Sequence, residues 1–158
     1  MPRDAGPQGR TLANAVATAS EIGQEEIGHL EFISRWLRTG AGANGRTLLA
    51  TYIDPEAGDA GPGAGNTAMI LVLAEDSAGT LNTSFKKVSV GDARAVEFQR
   101  LVTHADLDSD GVDEIVLETW RYASLHDLSV LQFANGKWRQ VFTVGLNWCV
   151  DAPKPDGQ

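Results

Sequence analysis

Cysteine occurs once, at Cys149, so an internal disulfide and a multi-cysteine zinc site are both excluded. Basic residues are few: 13 Lys and Arg stand against 21 Asp and Glu, for a formal charge of −8. That balance argues against nucleic acid or an anionic membrane as a partner. Long apolar runs are missing. The longest, "AMILVLA" at 68–74, has seven residues against the roughly 20 that a spanning helix requires, so membrane insertion is not expected. The opening "MPRDAGPQGRTLANAVATAS" lacks a basic end followed by a continuous apolar stretch, and does not read as a secretory signal. No phosphate loop is present either. The Gly-rich "DPEAGDAGPGAGN" (54–66) has neither a following Gly-Lys-Ser/Thr nor dinucleotide spacing, and reads as a hairpin insertion.

Signs of an active centre are equally scarce. Ser124, His126 and Asp127 lie side by side in "SLHDLS", but a catalytic triad is assembled in space from separated positions. His104 falls on the same side of a strand pattern as Val96, Phe98 and Val102, which makes it a strand-end histidine. Enzymatic activity is not expected.

What is present is a β pattern. With 158 residues and 42% hydrophobic content the chain can build one domain with a core. Residues 1–26 read as an N-terminal arm or lead-in rather than core, with a short helix predicted over Thr11–Ile22. Segments 29–38, 46–53, 67–75, 81–90, 95–105, 114–122, 127–133 and 137–144 carry strand signals between Gly- and Pro-rich breaks. Asn135-Gly136 joins the last two as a hairpin. "LNWCV" (146–150) is a candidate edge strand, and 151–158 a loose tail.

The eight segments divide into two similar fours about 67 residues apart. In each, an eight-residue gap follows the first strand (39–46 and 106–113), and an aromatic residue stands late in the second, Tyr52 or Trp120. Two tandem four-stranded antiparallel meanders, spanning 27–92 and 93–150, are the simplest account. The first gap, "TGAGANGR", keeps Asn44-Gly45 where the second has Asp110-Gly111, but has no acids.

The second gap is the most distinctive stretch of the chain. In "DLDSDGVDE" Asp106, Asp108 and Asp110 alternate, so their side chains can point inward together. Gly111 supplies a left-handed turn, the Val112 carbonyl can face the centre, and Glu114 closes the ring. Four carboxylates and a carbonyl are hard oxygen donors, a set suited to Ca²⁺ over Mg²⁺. Without a cation, two carboxylates about 5 Å apart repel by roughly 1 kcal/mol in water and about 3 kcal/mol at a protein-surface dielectric. The loop is not an EF-hand, because position twelve is Leu117 and "EIVLETW" is a strand pattern.

"DLDSDGVDEIVL" resembles the calcium loop of FG-GAP and VCBS-type repeats, the blades of integrin-α-like β-propellers, with Ser109 in place of the usual Gly. The resemblance is clearest over 96–144. It implies Ca²⁺ at loop positions one, three, five, seven and nine: Asp106, Asp108, Asp110, the Val112 carbonyl and Glu114. Asp113 is then outward-facing. Propellers close with about four to eight blades, so two units imply either a piece of a longer protein or, preferably, two sheets packed as a sandwich. The resemblance further implies a non-enzymatic, exported module, extracellular or periplasmic, whose ion is structural and which binds or scaffolds a protein or glycan. The alternatives are a carbohydrate-binding module using Trp120 and Tyr122, and an accessory domain of a secreted hydrolase.

Overall fold

Residues 66–77 explain most of the architecture. A strand with one face in water alternates apolar and polar residues, whereas "AMILVLA" is apolar throughout and therefore needs cover on both sides. The computed structural model, which describes residues 6–54, 66–77, 80–92, 95–121 and 124–146, provides that cover. Two helices, α1 (Gly6–Ala19) and α2 (Gln24–Gly28), precede β1 (Glu31–Leu37), β2 (Thr47–Ile53), β3 (Asn66–Ser77) and β4 (Thr80–Asp92). The strands β5 (Phe98–Ala105), β6 (Glu114–Arg121), β7 (Ser124–Ala134) and β8 (Lys137–Leu146) follow. Each set of four forms one antiparallel meander, in the orders β1-β2-β3-β4 and β5-β6-β7-β8. The protein is an all-β sandwich of two repeat-like sheets, and all eight predicted strands are present.

The alternation along β2 and β3 sorts the core into two layers. Leu49, Met69, Leu71 and Leu73 face the second sheet and pack with Val96, Phe98, Ile115, Leu117, Leu131 and Trp138. Ala50, Tyr52, Ala68, Ile70 and Val72 face the other way and pack against Ala13, Val16, Ala17, Ile22 and Ile27. The expectation that residues 1–26 lie outside the core is thereby corrected. The first sheet has an apolar outer face, and α1 and α2 cover it. At about 1.5–3 kcal/mol for a fully buried aliphatic side chain, this burial outweighs the single hydrogen bond from Tyr52 Oη to Asn14 Oδ1 (2.5 Å) that fixes the helix over β2. The helix also runs from Gly6 to Ala19 rather than from Thr11 to Ile22, and β1 begins at Glu31 rather than at His29.

The hairpin between β7 and β8 turns through Asn135 (φ 53°) and Gly136 (φ 75°), two successive left-handed residues as a type I′ turn requires. Residues 55–65, most of the Gly-rich insertion, lie outside the described residues, as do Tyr122 and the segment 147–158.

One charged side chain sits between the sheets. Glu75, 6% exposed, points from β3 toward the second sheet and accepts hydrogen bonds from Trp138 Nε1 (2.7 Å), Thr47 Oγ1 (3.0 Å) and Ser84 Oγ (3.1 Å). Burial raises its pKa above the ordinary carboxylate value, and the bonds from Trp138, Thr47 and Ser84 oppose that rise. A folded-state pKa above the unfolded one means that the stabilisation linked to proton binding is present below the unfolded value and lost as pH rises through the folded one. Compared with Glu75→Gln, the wild type should therefore lose melting temperature as pH climbs from about 4.5 through the raised pKa. Parallel melting curves for the two proteins across that window would show that Glu75 does not titrate in this way.

Candidate metal centre

The acidic loop spans 106–113, between the end of β5 and the start of β6, where Ala105 pairs with Glu114. Its fold is set by short side-chain-to-backbone bonds. Asp108 Oδ1 accepts from the Asp110 amide (3.2 Å), and Asp110 Oδ1 accepts from the Val112 amide (2.7 Å), each two residues on. These are the local turns that aspartate favours. Asp106 reaches across the loop, accepting from Asp110 N and Gly111 N, both at 3.1 Å. Two residues take positive φ, Ser109 at 64° and Gly111 at 89°. Ser109 adopts a left-handed backbone that glycine would favour.

This winding brings three carboxylates together. One oxygen each from Asp106, Asp108 and Glu114 lies within 4.8 Å of the others. Glu114 is only 4% exposed, while the two aspartates open to solvent. Backbone and amide donors also reach these acids: Leu107 N donates to Glu114 Oε2 (2.8 Å) and Gln132 Nε2 to Asp108 Oδ2 (2.7 Å). Among the described residues no lysine or arginine pairs with any of the three. Convergent hard oxygens without a cationic partner suit a hard metal ion, and this cluster can hold one.

Not every predicted ligand joins the trio. Asp110 lies outside it, its Oδ1 engaged by the Val112 amide. Val112 places its side chain against the inter-sheet core, anchoring the loop from below. Asp113 turns to the other side and meets His104 Nδ1 at 2.5 Å, giving the strand-end histidine a partner. Trp120 stacks on Phe98 with ring centroids 5.7 Å apart, and the Arg100 guanidinium stands 5.8 Å from its ring. It is half-buried against the core. Tyr122, its expected companion, is outside the described residues.

Residues from elsewhere complete the setting. Gln132 reaches Asp108 from β7, and the first repeat's loop, 38–46, packs directly on the acidic one. The Asp113 amide donates to the Thr39 carbonyl at 2.7 Å. Gly40 fits so closely that a Cβ there would stand 2.5 Å from the Gly111 carbonyl oxygen. Nothing in the local sequence pattern announces either contact, because both depend on how the two repeats meet.

At Gly111 the backbone conformation, not space, demands glycine: its φ is 89° and a Cβ would meet nothing within 4 Å. Gly111→Ala should therefore cost about 1–2 kcal/mol in urea unfolding, the usual penalty of a left-handed L-residue. An unchanged midpoint would remove the conformational constraint claimed for this turn. Compared with family models, with curated proteins and with solved structures, the chain matches none of them.

Proposed function

We propose that this protein is a non-enzymatic calcium-binding β-repeat module of the FG-GAP/VCBS type, in which the ion is structural. One observation carries the reading: the oxygens of Asp106, Asp108 and Glu114 converge within 4.8 Å, with no lysine or arginine among the described residues paired to them. The sequence "DLDSDGVDEIVL" supports it independently through its resemblance to that family. Asp106, Asp108 and Glu114 would supply carboxylate oxygens, with Asp110, the Val112 carbonyl and water as the further ligands that the resemblance implies. Calcium is preferred over magnesium because the donors are several hard oxygens on a partly exposed loop and need not meet strict octahedral geometry.

The ion's contribution would be to remove repulsion between the acids and lock the β5–β6 corner. An affinity of about 10⁻⁴ M suits an extracellular module, so we place the protein outside the cytoplasm, where it would bind or scaffold a protein or glycan. At about 1 mM free calcium such an affinity adds roughly 1.4 kcal/mol. For a chain of this size that corresponds to about 3–6 °C in melting temperature.

A thermal melt in calcium and in chelator tests the proposal. The wild type should melt about 3–6 °C higher in calcium. Asp108→Ala should lose most of the difference, and magnesium should reproduce little of it. Identical wild-type melts in calcium and in chelator would sink the calcium reading.

A further inference from the structure

The first repeat has four strands like the second but no acid in its loop 38–46, which touches the acidic loop directly. We propose that this loop is the positioning element of the second repeat's cation site: Thr39 and Gly40 hold the 111–113 backbone, so that ion binding and the docking of the two sheets are one coupled equilibrium. This inference rests on the calcium reading above, and adds to it a role for residues of the other repeat.

Three observations carry it. The Thr39 carbonyl accepts the Asp113 amide at 2.7 Å, which ties the first sheet to the last residue before Glu114. Gly40, with φ 78°, lies so close to Gly111 that any Cβ would require backbone to move, since the nearest atom is a main-chain oxygen at 2.5 Å. The first loop is itself fixed. Gly40 N donates to Gly45 O (3.1 Å), Ala41 N to Thr39 Oγ1 (3.2 Å), and Thr39 Oγ1 meets Thr47 Oγ1 at 2.8 Å in the buried interior. A fixed loop pressed on a second loop restricts the shapes that the second can take. Ligand geometry in a site of three convergent carboxylates is sensitive to such restriction. By linkage, calcium must then stabilise the inter-sheet contact by the same factor as that contact raises calcium affinity.

The test compares two alanine variants with the wild type by calorimetric calcium titration. Gly40→Ala should weaken calcium binding by at least about fivefold, the lower end of ordinary coupling between sites, with the circular dichroism of the folded protein retained. Gly136→Ala is the control. Its φ of 75° imposes the same backbone penalty, but it sits in the β7–β8 hairpin with nothing within 4 Å of a Cβ. It should bind calcium within about twofold of the wild type, as distant sites do.

Hydrogen exchange on the unaltered protein decides the matter if Gly40→Ala does not fold. Calcium should slow exchange at the Gly40, Ala41 and Gly45 amides as well as within 106–114. Protection confined to 106–114, or a Gly40→Ala variant that binds as tightly as wild type, would overturn the coupling while leaving the metal site in place. A wild type that takes up no calcium would overturn the metal reading and the coupling together.

Discussion

Burial of β2 and β3 on both faces is the constraint from which the rest of the molecule follows. Leu48, Leu49, Ala50, Tyr52 and the whole run from Ala68 to Ala74 are almost without solvent contact. Strands of this kind cannot stand at a surface, because each exposed aliphatic residue would forfeit about 1.5–3 kcal/mol of burial. One face is closed by α1 and α2, the other by the second repeat. Two four-stranded sheets and two helices thus bury this strand pair without a closed ring.

The second sheet lives under a weaker constraint, and its sequence reflects it. Along β8 only Trp138 is buried, and Val141, Phe142 and Val144 are 42–56% exposed. The second sheet therefore acts as a lid on the first, fixed by the aliphatic layer and by the bond from Trp138 to Glu75. An acidic loop belongs at the end of such a sheet. Asp106 and Asp108 open to water, where high dielectric and salt hold their repulsion to about 1 kcal/mol per pair, while Glu114 is held inside by the Leu107 amide. The polypeptide can thus gather carboxylates without losing the fold when no ion is bound.

Much of this was legible in the residues. The strands, the Asn135-Gly136 turn, the pairing into two fours and the convergence of Asp106, Asp108 and Glu114 all rest on local spacing, which a single sequence carries. The role of the N-terminal segment did not emerge in that way. "TLANAVATAS" has mostly small apolar residues, and their destination is decided by the outer face of a sheet that begins at Glu31. The signal lay in the uninterrupted "AMILVLA" of β3, which requires cover on two sides, and not in the helix itself. Gly40 and Thr39 were beyond reach for a different reason. Their contacts join residues more than 70 positions apart across two sheets, and no periodicity reports such a meeting.

The two repeats also show one structural problem met in two ways. In the first, the strand after the loop starts with Thr47, opposite Glu75 on the next strand. In the second, the strand after the loop starts with Glu114, and one step beyond the Ile115–Leu131 pair lies Gln132. Each repeat thus buries one carboxylate at the base of its loop, on β3 in one case and on β6 in the other. Glu75 is met by hydroxyls and an indole N–H, all neutral donors, and its loop carries no acid. Glu114 has a backbone amide on one oxygen and two aspartates nearby. Moving the acid from one strand to its neighbour changes what surrounds it. A carboxylate met by neutral donors joins the two sheets; a carboxylate converging with two others forms a cluster that could hold a metal ion. The difference between the two loops, one without acids and one with three converging carboxylates, accompanies that exchange of positions.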